Sequence, residues 1–186
     1  MTLLFCGGDF CWAMAIEDAK EEFNYIENLN GKKILLKGNH DYWWSTIKKM
    51  NTFMKDNDYK TIEFLHNNSF GHNNYIIAGT KGCNEQEENN VGNKILRREL
   101  VRLELSIKDG LNMHGENKEI IIFMHYPPFT RNNEFIEIMK KYNVKKCIYG
   151  HLHGDALNEA QVGKIEDIEY IVSSCDYTNF KLIKIY

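Results

Sequence analysis

The stretch Lys33-Ile34-Leu35-Leu36-Lys37-Gly38-Asn39-His40-Asp41 decides the fold, because an apolar run stops at a glycine and delivers three ligand-type side chains in succession. Ile34 to Leu36 is the short continuous apolar run of a buried strand, and Gly38 permits a sharp exit that a residue with a Cβ resists. Three other runs end the same way: Leu3-Leu4-Phe5-Cys6-Gly7-Gly8-Asp9, Ile120-Ile121-Ile122-Phe123-Met124-His125 and Cys147-Ile148-Tyr149-Gly150-His151-Leu152-His153. In a mostly parallel α/β sheet, ligands and catalytic groups gather beyond the carboxyl ends of the strands, where successive loops converge. A lone buried histidine is more often a hydrogen-bonded core residue than a ligand. One rule that places Asp, Asn, His and His-x-His at four strand ends points to a metal site instead.

Composition sets the frame around these strands. With 186 residues, 43% hydrophobic, 26% charged and only two prolines, the chain suits a single globular domain over 1–186. A formal charge of -3 gives no general electrostatic drive towards nucleic acid or an anionic membrane, and is compatible with a small phosphorylated substrate. Five cysteines, an odd number without a Cys-x-x-Cys pair, favour reduced thiols over a disulfide framework. Met1 to Phe5 lacks a basic leader and no apolar run approaches membrane-spanning length, so the expected location is the cytoplasm.

Along the chain, Thr2 to Cys6 reads as a strand and Ala13 to Ile26 as a helix, with Ala15, Ala19, Phe23 and Ile26 on one face and Gly31 ending the unit. Trp43 and Trp44 are expected in the core rather than in a pocket wall. Ser45 to Met54 has helical character. Thr61 to Leu65, Asn67 to Phe70 and Tyr75 to Ala78 read as short strands, which makes His66 and His72 turn residues. The polar segment from Lys81 to Asn93 reads as a surface loop. A stripe of Ile95, Leu96, Leu100, Leu103 and Ile107 predicts a helix from Lys94 to Lys108, capped by Asn93, closed by Gly110 and carrying Arg97, Arg98 and Arg102 on a solvated face. Glu119 to Met124 and Val144 to Tyr149 complete the buried strands, with a helix over Glu134 to Tyr142 between them. Ala156 to Gln161, Glu169 to Ser173 and Lys181 to Tyr186 are three strand candidates in the tail, suited to a second sheet stacked on the first.

His151 and His153 lie two apart on an extended segment, so their rings can share one side of the backbone and one metal centre. His125 adds an imidazole, Asn39 a neutral oxygen and Asp9 a carboxylate. This mixed N/O set suits Mn, Fe, Zn or Ni and is too nitrogen-rich for a dedicated Mg or Ca cage. His40 points away from Asn39 along an extended backbone, off the metal, and is the candidate catalytic acid. Asp41 either orients His40 or starts a helix.

Gly8-Asp9, Gly38-Asn39-His40-Asp41, His125 with Tyr126-Pro127-Pro128, and Gly150-His151-Leu152-His153 resemble, in order, the motifs of the calcineurin-like metallophosphoesterases. The resemblance implies a four-layer α/β/β/α sandwich in which Asp9 bridges two metals, with Asn39, His125 and His151 on one and His153 on the other. It also implies hydrolysis of a phosphomonoester or phosphodiester, with a metal-bound hydroxide attacking phosphorus and a histidine at the leaving oxygen. The family's opening strand, which ends in Asp-x-His, has no counterpart here, so the resemblance implies a sandwich missing its first strand, one well-formed metal site and one incomplete site. A replacement ligand such as Asp155 or Asp176 would fill the gap. The alternative is a catalytically impaired metal-binding or scaffold protein of the same fold. The apolar edge Leu3-Leu4-Phe5 favours a strand-exchanged homodimer over closure within a monomer.

Overall fold

The computed structural model describes residues 2–84 and 90–185. The first half folds into a three-stranded parallel sheet of β1 (Leu3–Cys6), β2 (Lys32–Leu36) and β3 (Ile62–Leu65), in that spatial order. Between β1 and β2 come a 3-10 turn (Ile16–Ala19) and α1 (Lys20–Glu27), and α2 (Ile47–Asp56) joins β2 to β3. The Thr46 hydroxyl accepts the Lys49 N–H and caps α2.

The second sheet has six strands: β4 (Phe70–His72), β5 (Tyr75–Thr80), β6 (Glu119–Met124), β7 (Lys146–Tyr149), β8 (Gly163–Ile165) and β9 (Ile168–Val172), in the order β4-β5-β6-β7-β9-β8. From β5 through β6 and β7 to β9 the pairing is parallel. The helices α3 (Asn90–His114) and α4 (Glu134–Lys141) supply the crossovers from β5 to β6 and from β6 to β7.

The period-2 alternation of strand side chains sorts the apolar residues into three layers of contact. Ile34 and Leu36 of β2 meet Ile77, Ile121, Phe123 and Ile148 between the sheets. Leu35 faces the other way, onto Phe23, Ile26, Met50 and Met54 of α1 and α2. Ile120, Ile122 and Met124 of β6 face Leu103, Ile107, Phe135 and Met139 of α3 and α4. The result is the expected α/β/β/α sandwich, with every strand end carrying a candidate ligand brought to one rim.

Several local expectations need correction. Helix α3 runs through Gly110, which is no stop: the helix crosses β5 there, and a Cβ would overlap Ile76 Cγ2 and meet Ser69 Cβ at 3.3 Å. Glycine is needed for close packing. Asn93 lies inside α3 rather than capping it, and residues 85–89 of the expected surface loop lie outside the described residues. His114 ends α3 and His72 ends β4. Of the three tail strands only the middle one forms, as β9, and it joins the sheet of β7 instead of founding another. Gly154–Glu159 is a 3-10 helix, with its Leu157 and the following Ala160 packed against the core, and 181–185 is in no strand. Instead β8 pairs with β9 through Glu166 and Asp167, both left-handed at φ 47° and 68°, as a two-residue hairpin turn demands. Trp43 and Trp44 are buried in the layer between α2 and the first sheet, as expected. All five cysteines are free.

Candidate metal centre

Asp41 builds the floor of the site. Its side chain is fully buried, and its two oxygens accept the backbone N–H groups of Asp9 and Phe10 at 2.8 Å, Gly38 at 2.7 Å and Cys11 at 3.4 Å. The Trp43 indole N–H adds a fifth bond at 3.1 Å. Burial pushes the Asp41 carboxyl pKa up, against the opposing pull of the Gly38, Cys11 and Asp9 amides. Neither role read from the sequence is the one found, because Asp41 neither touches the His40 ring nor starts a helix. It ties the loop after β1 to the loop after β2.

Glycine makes that closeness possible. A Cβ on Gly38 would fall on the Asp9 carboxylate and backbone, and one on Gly8 would fall on the His125 ring. Asp9 itself is left-handed at φ 54°, a conformation its short polar side chain tolerates. The His40 N–H then holds Asp9 Oδ1 at 2.8 Å, leaving Oδ2 3.5 Å from His125 Nε2.

Four groups converge at this rim. Asn39 Oδ1 lies 2.7 Å from His125 Nε2 and 2.9 Å from His151 Nδ1, and the two ring nitrogens are 3.2 Å apart. Asp9, His125 and His151 form a group whose ligand atoms all lie within 4.8 Å of one another. His125 Nδ1 faces the Gly7 carbonyl at 3.0 Å. A carbonyl only accepts, so Nδ1 carries the proton and Nε2 of the neutral ring presents its lone pair to the Asn39 oxygen. Two acceptors facing each other at hydrogen-bond distance, with a carboxylate and a second imidazole beside them, make a donor set that fits a cation. Burial keeps both rings neutral: it pulls the His125 pKa down, and it lowers His151 to about 4, helped by the neighbouring His125. His151 is left-handed at φ 69°, which costs about 1–2 kcal/mol for a residue of this kind and turns its ring into the cluster.

The structure therefore brings together four of the five sequence-predicted ligands, Asp9, Asn39, His125 and His151. His153 stands outside that group, with Nδ1 2.8 Å from Asp176 Oδ1; the other Asp176 oxygen accepts the Gly154 N–H at 2.8 Å. Asp176 was one of the two replacement ligands considered, and Asp155 lies in the exposed 3-10 helix. His40 is at the rim, its ring stacked on Trp12 at 4.9 Å and its Nδ1 3.0 Å from the Tyr42 hydroxyl. The Tyr126 ring packs 4.2 Å from that of His151. Trp12 and Tyr42 carry no ligand pattern in the sequence, so only proximity reveals them.

No curated protein matches the chain by sequence. Among solved structures, it is similar to a protein of unknown function, AQ665, from Aquifex aeolicus, at 19% identity and a TM-score of 0.45, covering 96% of this chain and 70% of that one. A second solved structure aligns at 16% identity with a TM-score of 0.52, over 84% of this chain and 62% of its own, a likeness of fold. Residues 2–155 match the family model described as calcineurin-like phosphoesterase. That span contains β1 through β7, the Asp41 clamp and all four converged ligands, and the chain belongs to the calcineurin-like phosphoesterase family, a family of divalent-metal-dependent hydrolases.

Proposed function

We propose that this chain is a metal-dependent phosphoesterase acting on a small phosphomonoester or phosphodiester, with Asp9, Asn39, His125 and His151 holding the metal. The observation that carries this reading is the convergence of two neutral imidazoles, a carboxylate and an amide oxygen on one point at the carboxyl ends of β1, β2, β6 and β7. The donor set fits Mn, Fe, Zn or Ni. When bound, such a cation supplies a Lewis acid that neutralises phosphoryl charge and lowers the pKa of water from 15.7 towards about 7.

The chain's own groups do the rest. Asp41 fixes the Asp9 and Gly38 backbones, so the carboxylate and the Asn39 amide are positioned before substrate arrives. His40 has Nδ1 at Tyr42, which leaves Nε2 to meet a leaving oxygen and to donate a proton to it. Trp12, 72% exposed and stacked on His40, offers an apolar wall to an organic leaving group. His153 with Asp176 belongs to a second, weaker cation position beside the first. No helix of the described residues is long and apolar enough to cross a membrane, and we place the enzyme in the cytoplasm with a small phosphorylated substrate.

Hydrolysis of p-nitrophenyl phosphate and its bis ester, measured with Mn and with a chelator, tests the reading. Turnover should need the metal and vanish in His125→Ala and His151→Ala. Turnover that survives chelation in both variants would overturn it, and tight metal binding without turnover on any ester would favour the metal-binding scaffold.

A further inference from the structure

A cavity of about 150 Å³ lies at the carboxyl ends of β2, β3 and β5, between the two sheets and beside the metal centre. Its wall carries three cationic side chains, Lys37, Lys81 and Arg102, and one carboxylate, Glu99. Glu99 is fully buried and already satisfied: it accepts the Thr80 hydroxyl at 2.6 Å, Arg102 Nη1 at 2.8 Å and Arg98 Nε at 3.1 Å. Among the described residues no carboxylate pairs with Lys37 or Lys81, so the cavity has an excess of positive charge.

The neutral groups point the same way. Trp44 and Ser45 both line the cavity, and the Trp44 indole N–H and Ser45 Oγ are buried and find no hydrogen-bond partner in the protein. Trp44 as a residue is only 8% exposed. An indole nitrogen can only donate, so its missing partner is an acceptor. Burial pulls the Lys81 pKa down, against the opposing pull of Glu99. Lys37 and Lys81, without a carboxylate partner, and Trp44, with its unsatisfied donor, line one pocket, a charge and donor set that suits an anion.

The site also lies close to the chemistry. Lys37 directly precedes Gly38-Asn39, and Lys81 Nζ lies 5.3 Å from the Tyr126 ring, which also packs against the rings of His125 and His151.

We propose that this cavity is an oxyanion subsite that takes a phosphate group, held by Lys37, Lys81 and Arg102 and by the Trp44 and Ser45 donors. The inference stands apart from hydrolysis at the metal centre, because neither the cavity nor its donors belong to the ligand set. The phosphate comes either as the free ion or as a second phosphoryl group on a ligand that also reaches the metals.

The test uses the full chain carrying His151→Ala, so that phosphate cannot report on an intact metal centre and the outcome does not depend on turnover. The Trp44 indole N–H peak in a nitrogen-proton correlation spectrum, identified by its loss in Trp44→Phe, is followed during titration with inorganic phosphate. It should move and saturate, and Lys37→Met or Lys81→Met should each weaken binding about tenfold, the loss of one charge-assisted contact. Methylenediphosphonate in the Mn-loaded native chain separates the two sources. Affinity equal to that in His151→Ala identifies a free-phosphate site, whereas affinity at least about tenfold tighter identifies a ligand spanning both sites. An unmoved Trp44 peak at tens of millimolar phosphate, or an equal shift with sodium chloride at matched ionic strength, would overturn the proposal, as would unchanged affinity in both lysine variants.

Discussion

Asp41 Oδ2 accepts the backbone N–H of Asp9 at 2.8 Å, so a fully buried carboxylate holds the residue whose own carboxylate faces the metal-ligand cluster. Removing it strands four backbone donors and an indole N–H in the interior, at about 1–3 kcal/mol for each group left unpaired. Relaxation and water entry recover part of that sum. Asp41→Ala should destabilise the chain by about 4 kcal/mol and Asp41→Asn, which keeps one accepting oxygen, by about 2 kcal/mol. Urea denaturation at neutral pH measures both, and a loss under about 1 kcal/mol in Asp41→Ala would refute the clamp.

Gly38→Ala should injure both the site and the fold. The added methyl lands on the Asp9 carboxylate, and the least costly relief is to swing Asp9 away from His125. Calorimetry should show metal affinity falling at least about tenfold, and urea denaturation a loss of stability within the about 1–3 kcal/mol that overpacking costs. Intact affinity would mean that the β2 backbone yields instead of Asp9.

For the metal itself, His125→Ala and His151→Ala should each abolish tight Mn or Zn binding. His153→Ala should leave the tight site in place and remove only a second, weaker event, because His153 is engaged with Asp176 outside the converged group. Elemental analysis with calorimetry distinguishes the two, and a single class of site of equal strength in His153→Ala and native protein would contradict the unequal pair.

His40→Ala should lower kcat on a p-nitrophenyl ester by about a hundredfold, within the range of lost general-acid catalysis, without changing metal affinity. The effect should be larger for a poorer leaving group, which needs the proton more. Equal losses on good and poor leaving groups would remove the proton-donor role.

Glu104 links α3 to α4, accepting Lys141 Nζ at 2.6 Å and the Tyr142 hydroxyl at 2.7 Å, and these bonds hold its carboxyl pKa at about 2. A folded pKa below the ordinary carboxylate value means that the unfolded chain binds the proton first. The stabilisation is fully present above about pH 4.5 and disappears as the pH falls towards 2. With Lys141 exposed and solvent screening strong, its size is about 1 kcal/mol. Glu104→Gln should therefore be less stable than the native chain at pH 7 and indistinguishable from it near pH 2, as read by chemical denaturation across that range.

Among the described residues strand β1 is the edge of the first sheet, paired with β2 alone, while Phe5 stacks on Phe123 at 3.7 Å to anchor its inner face to the second sheet. An edge strand presents unpaired backbone groups that recruit another strand. We expect a reversible dimer, seen as concentration-dependent sedimentation; a strictly monomeric species at tens of micromolar would rule it out.

How much of this was legible in the sequence follows from the range of the interactions involved. The β1, β2, β6 and β7 runs and the polar residues ending them could be read directly, because continuous apolar character and a terminal glycine are local signals. Those signals placed Asp9, Asn39, His125 and His151 on one rim, and the two-sheet sandwich followed from the resemblance they carry. Asp41 was misread because its partners, the amides of Asp9, Phe10 and Cys11, are about thirty residues away and no local pattern announces them. Gly110 looked like a helix stop because a glycine that ends a helix and one that lets a strand approach look identical in sequence; only the position of Ile76 separates them. Arg98 and Arg102 read as a solvated face, yet they neutralise the buried Glu99, and the cationic cavity beside it is assembled from β2, β3, β5 and α3. Periodicity reports which face of an element is buried, so the layers and the polar strand ends could be read from local pattern. Long-range hydrogen bonds and charge pairs depend on which elements become neighbours, and that emerges only when the chain folds.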